Sequence, residues 1–163
     1  MILGISIPVF LTLHVTLSLV GIVAGLAVAA ALLQGRFPAA VTAIFLVTTI
    51  LTSATGFPLP PYGFDPPRIV GTLSLVLLAL AVLGLYVYKL AGKWRAIYIG
   101  TAVAALYLNC FVAVVQSFQK IPAINALAPT QTEPPFAIAQ VVVLVAFIAL
   151  GVVAIRHKHK PKS

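Results

Sequence analysis

The sequence predicts an all-α polytopic integral membrane helix bundle of five transmembrane helices, with the N-terminus outside and the C-terminus cytoplasmic. Three observations carry this reading. Hydrophobic residues make up 62% of the 163-residue chain and charged residues only 7%, at a mean hydropathy of +1.17; soluble domains carry about a quarter charged residues. Long apolar runs recur along the whole chain, which leaves no material for a separate soluble domain. The few charges that remain are divided unequally between the two sides of those runs.

Five runs reach the roughly 20 apolar residues that a hydrocarbon core requires, at about 8–33, 39–57, 68–90, 96–118 and 135–155. Gly35, Arg36 and Pro38 separate the first two, FPLPPYGFDPP the next pair, AGKWR the third and fourth, and INALAPTQTEPPF the last two. Pro8, Pro38 and Pro135 fall in first turns, where a missing N–H costs nothing. The runs are too long and too unalternating for barrel strands, so backbone satisfaction inside lipid demands helices. Residues 1–155 form one transmembrane domain and residues 156–163 a basic tail. The N-terminal run lacks a preceding Lys or Arg and is too long for a cleaved signal peptide, so it is expected to stay as a mature helix.

Orientation follows from charge. The connections after spans one and three, with the tail, hold Arg36, Lys89, Lys93, Arg95, Arg156, Lys158, Lys160 and Lys162; the opposite side holds Arg68 and Lys120. By the positive-inside rule the richer side is cytoplasmic. Both acidic residues, Asp65 and Glu133, fall outside, so the whole net charge of +8 lies inside. Trp94 and Tyr98 at the inner boundary, and Tyr62 and Phe64 at the outer one, match aromatic belts. The motif Leu17-Ser18-Leu19-Val20 returns as Leu73-Ser74-Leu75-Val76, a short echo between spans one and three that is as readily coincidence as repeat.

Polar residues within the spans fall on shared helix faces: His14, Ser18, Gly21 and Gly25 on span one; Thr48, Thr52 and Thr55 on span two, with Thr49, Ser53 and Gly56 beside them; Tyr98, Thr101, Asn109 and Gln116 on span four. Gln140 stands alone on span five. At about 1.5 Å of rise per residue, His14, Thr52, Gln140 and Asn109 lie ~8–14 Å below the outer ends of their helices, and Gln116 ~3 Å. Lipid disfavours such groups, so they should converge inside the bundle. The expected ligand-binding set is therefore His14, Thr52, Asn109, Gln116 and Gln140, between the outer halves of spans one, two, four and five. Arg68, Lys120 and Glu133 would stand at its mouth. For Glu133 two compatible readings remain open: a cap on span five with Thr132, and an ion pair with Arg68 or Lys120 or a hydrogen bond to His14.

His14 is either a functional group or an interhelical hydrogen-bonding group bonded to Thr52 or Asn109. Gly21 and Gly25 form a GxxxG that packs a neighbouring helix or a second copy of the chain. Arg68 is expected to pair with Asp65, and Cys110 to be a small buried hydrophobe. The tail cations Arg156, Lys158, Lys160 and Lys162 suit anionic lipid headgroups.

Several chemistries are disfavoured. No second histidine lies in a span to complete a bis-histidine haem site, and no ligand set suits a metal. Two carboxylates on separate loops and no nucleophile beside a base argue against catalysis, and the positive charge is a topology signal, which argues against nucleic acid. The expectation is a non-catalytic membrane protein with an outward-facing polar pocket for a small amphipathic molecule, a quinone or lipid, acting as a homo-oligomer or with other membrane subunits. A transporter or channel and a purely structural membrane subunit are the rivals. The small size and lack of sorting motifs suggest a bacterial inner membrane.

Overall fold

A computed structural model describes residues 1–60 and 66–157. Its helices are α1 (Ile7–Leu33), α2 (Ala39–Gly56), α3 (Pro66–Val82, extended by one π turn over Leu83–Val87), α4 (Trp94–Lys120), the single turn α5 (Pro122–Asn125) and α6 (Pro134–Arg156). Five of these are long and apolar enough to cross a membrane, counting α3 with its π turn. The expected spans agree with them to within a few residues.

Prolines open every helix except α4. Pro8 occupies the first turn of α1, Pro38 is the N-cap of α2, Pro66 and Pro67 begin α3, Pro122 begins α5, and Pro134 and Pro135 begin α6. At these positions a fixed φ suits the helix and no donor is lost. The polar side chains mostly satisfy themselves within their own helix. Thr12, Thr48, Thr52, Thr55, Thr72, Thr101 and Ser117 each donate to the carbonyl four residues earlier, which lets a hydroxyl enter lipid without an orphaned proton.

α4 is the hub, touching each of the other four long helices, while α1 pairs most extensively with α2. The apolar core lies at the end of the bundle that carries the α1–α2 and α3–α4 connections. There Val28, Leu32, Phe45, Leu78, Tyr98, Ile99, Leu106 and Ala154 are almost fully buried. Two glycines of α1 bring this packing about. A Cβ on Gly25 would sit 2.5 Å from Leu106 Cδ1 and 2.9 Å from the Phe45 ring, and one on Gly21 would sit 3.0 Å from Thr49 Oγ1. The GxxxG face is thus turned inward, onto α2 and α4.

Tyr98 departs from its expected place in an aromatic belt: it is completely buried. Gly84, which would carry a Cβ only 3.2 Å from Tyr98 Cβ, leaves room for it, and Phe37 packs 6.0 Å away. The boundary aromatic pair is instead Tyr88 and Trp94, stacked at 3.8 Å across the α3–α4 turn. Tyr62 and Phe64 lie outside the described residues.

α6 is the least embedded helix. Only Gly151 and Ala154 are buried in it, while Ile138, Val141, Val142, Val145 and Ile148 are exposed. Arg95 fastens its end, donating to the carbonyls of Ile155 at 3.2 Å and His157 at 2.7 Å.

Candidate functional site

The opposite end of the bundle, next to the α2–α3 connection, holds the polar residues. A cavity of about 100 Å³ lies there between α1, α2, α3 and α4. His14 and Ser18 line it from α1; Thr52, Ser53 and Gly56 from α2; Pro67, Arg68, Val70, Gly71 and Ser74 from α3; Leu108, Asn109 and Val112 from α4; Phe57 closes one side. A second, larger groove of about 460 Å³ runs along α1 and α2 but is lined only by Leu19, Val20, Val23, Ala24, Ala27, Val41 and Ile44. With no polar anchor, it is a surface suited to acyl chains.

Three interhelical hydrogen bonds frame the polar layer. His14 Nδ1 and Thr55 Oγ1 lie 2.9 Å apart, joining α1 to α2. Ser53 donates to Ser74 Oγ at 3.0 Å, joining α2 to α3. Asn109 Nδ2 donates to Thr49 Oγ1 at 3.4 Å, joining α4 to α2. Ser53, Ser74, Thr49, Thr52 and Asn109 are all buried, and His14 is half-buried. The partner of His14 is thus Thr55, not the Thr52 or Asn109 that depth alone suggests. Thr52 spends its proton within α2, on Thr48 O at 2.8 Å.

Arg68 projects from the first turn of α3, where the helix dipole opposes its charge. It turns instead onto the C-terminal end of α2 and donates to the carbonyls of Phe57 at 3.1 Å and Leu59 at 2.9 Å. Those carbonyls lie at and just past the C-cap of α2, the negative end of its dipole, so a cation there is favourable. The expected partner Asp65 lies outside the described residues.

Of the residues expected to form one site, His14, Thr52 and Asn109 line the cavity together with Arg68, whereas Gln116, Gln140, Lys120 and Glu133 do not. Gln116 shares a face with Asn109 but stands two turns beyond it, past the cavity, and is exposed. Gln140 lies on the far side of α4, where it donates to Phe111 O at 3.3 Å while its Oε1 is buried with no partner among the described residues. Lys120 ends α4 and is exposed.

Glu133 sits at the N-cap position of α6 but makes no side-chain cap. Pro134 and Pro135 have no N–H to offer, and the N–H of Phe136 already donates to Glu133 O at 3.2 Å. The carboxylate turns back into the preceding loop, accepting from Thr130 Oγ1 at 2.8 Å and from the backbone N–H groups of Thr130 at 3.2 Å and Thr132 at 3.1 Å. Loss of hydration pushes its pKa up, but these hydrogen bonds outweigh that and hold the carboxyl below its ordinary value. Arg156 is exposed at the end of α6; Lys158, Lys160 and Lys162 lie outside the described residues.

Apart from Arg68, the wall contributed by α3 was missing from the expected site. Its signal was the echoed motif: Ser18 and Ser74 occupy the same place in the two copies of Leu-Ser-Leu-Val, and both line the cavity.

Comparison of the chain with protein-family models, with curated proteins and with solved structures finds no match.

Proposed function

We propose that this is a non-catalytic multi-pass membrane protein whose cavity holds the headgroup of a small amphipathic ligand of quinone-like size, and that it works as a subunit of a larger membrane assembly. The observation that carries the reading is the juxtaposition of His14, Ser53, Ser74 and Asn109 around a space of about 100 Å³ in an otherwise apolar bundle. An engineered apolar cavity of about 150 Å³ takes one benzene ring; at about 100 Å³ this space admits no more than one ring, with any tail left outside among lipid chains. The eight-to-two division of cations supports an orientation with the cavity at the non-cytoplasmic end and the N-terminus outside; a bacterial inner membrane would fit this arrangement.

The opposite half favours a blind pocket over a conduit. Leu78, Tyr98, Ile99 and Leu106 close it with almost no exposed surface, so a transport route through one chain would require that core to open.

The test is purification in mild detergent, followed by solvent extraction and mass spectrometry of what accompanies the protein. A ring-bearing lipophile should co-purify with the native chain and be lost from Gly71→Leu, in which the new side chain occupies the cavity. Equal recovery from both proteins, or none from either, defeats the proposal.

A further inference from the structure

We infer that the groove between α1 and α2 seats an acyl chain of an anionic phospholipid whose phosphate is held by Arg36. The site is separate from the ring cavity, with which it shares no lining residue. Ala24 and Ala27 end at Cβ, while Leu19, Val20 and Val23 beside them and Val41 and Ile44 on α2 carry larger side chains, and the difference leaves the hollow of about 460 Å³. It begins in the first turn of α2, at Val41, and reaches Leu19, ~21 Å along α1 from its end at Leu33. That depth is of the order of the roughly 15 Å of hydrocarbon in one leaflet.

An apolar hollow in lipid gains no hydrophobic stabilisation from an apolar occupant, because the surrounding chains are as apolar as leucine. The groove alone therefore chooses no lipid, and selection falls to the group at its head. The loop 34–38 joins the two walls, and Arg36 stands in it, exposed. Arg68 and Arg95 spend their guanidinium groups on backbone carbonyls; that of Arg36 has no hydrogen-bond partner among the described residues. Its planar fork of donors matches a phosphate.

The neighbourhood has the same sign. Arg95 lies 5.9 Å from the Phe37 ring and donates to Ile155 O, so the α1–α2 loop, the start of α4 and the end of α6 meet beside Arg36, bringing the exposed cations Lys93 and Arg156 with them. No carboxylate competes there among the described residues: Glu133 lies at the other end of α6. The exposed apolar face of α6 has no such hollow beneath a cation, and it is left to bulk lipid.

Dioleoyl phosphatidylglycerol and dioleoyl phosphatidylcholine share their chains and differ in headgroup charge. Each is titrated onto the full chain in detergent and counted by native mass spectrometry. The native protein should retain the glycerol lipid roughly fivefold more tightly, the worth of one cation beside an anionic headgroup. Arg36→Gln should remove that preference, and Ala27→Phe, which fills the groove, should lower retention of both lipids. Both positions are exposed, so the two variants should unfold at the native temperature. Lys120→Gln removes the same charge at the opposite end of the bundle and should leave the preference intact. Glycerol 3-phosphate, which has no chains, should not displace the lipid.

Equal affinity of the native chain for the two lipids, a preference that survives Arg36→Gln or falls equally in Lys120→Gln, or displacement by glycerol 3-phosphate overturns the assignment. So does a dimer that Ala27→Phe dissolves, which would place a second copy of the chain in the groove. None of these outcomes touches the ring cavity, whose own test is the co-purified lipophile.

Discussion

Arg95, in the first turn of α4, holds the carbonyl of His157 at 2.7 Å and so ties the end of the most lipid-exposed helix to the hub of the bundle. The same guanidinium reaches Ile155 O and Ala154 O in the last turn of α6, and it lies 5.9 Å from the Phe37 ring. Arg95→Ala should therefore cost about 1–2 kcal/mol, the range for charge-assisted hydrogen bonds at a partly exposed site. Thermal unfolding in detergent should show the loss, with limited proteolysis appearing first at the end of α6. Arg95→Lys should recover less than half, since an ammonium cannot span several carbonyls with a planar fork.

Glycine substitutions should sort by the space that each Cβ would enter. Gly25→Ala forces Leu106 and Phe45 aside and should destabilise by about 1–3 kcal/mol despite the gain in helix propensity. Leu106→Ala in the same chain should return part of that loss. Gly100, where a Cβ would meet only Ile155 Cδ1 at 4.0 Å, is the control: Gly100→Ala should be neutral or stabilising by up to about 1 kcal/mol. If Gly25→Ala unfolds at the native temperature, the inward packing of the GxxxG face is refuted.

The serine pair tests the α2–α3 contact. Ser53→Ala and Ser74→Ala each remove one end of a buried 3.0 Å hydrogen bond. A double-mutant cycle should return a coupling near 0.6 kcal/mol, the average for interhelical bonds in membranes. A coupling indistinguishable from zero would mean that the two hydroxyls do not engage each other.

Glu133 gives a pH dependence with a definite sign. Its carboxyl is held below the ordinary carboxylate value, so the charged form is the one the folded loop binds. The resulting stabilisation is fully present above the unfolded-state pKa and disappears as pH falls through the folded-state value. Hydrogen exchange at the amides of Thr130 and Thr132 should therefore be slow near neutrality and accelerate, beyond the intrinsic pH trend, in the acid range. Glu133→Gln should show fast exchange at every pH.

Length and hydropathy made the five crossings legible, because a hydrocarbon layer imposes a minimum run and proline marks the first turns. Depth was legible too: His14, Thr52 and Asn109 share a layer in the structure as their positions along each helix require. Azimuth was not. Helical period shows which residues share a face but not which neighbour that face meets, so Gln140 was grouped with residues on the other side of α4. Ser74 and Gly71 were overlooked for the opposite reason. A serine and a glycine in an apolar run give little polarity signal, yet their small size is what leaves room for the cavity. The reversal of Glu133 into its loop was readable in part, since a Pro-Pro pair leaves a would-be cap only the N–H of Phe136 to accept from.

The π turn at Leu83–Val87 has a geometric effect of its own. A π turn accommodates one more residue than an α turn over a similar rise, so side chains beyond it are rotated by about 100° relative to an unbroken α-helix. That phase slip sets Tyr88 flat against Trp94; without it the tyrosine would be carried round toward another face. Removing a single residue from this stretch would re-index the ridge pattern of the helix end while leaving its composition nearly untouched, and would part the two rings that close the hairpin.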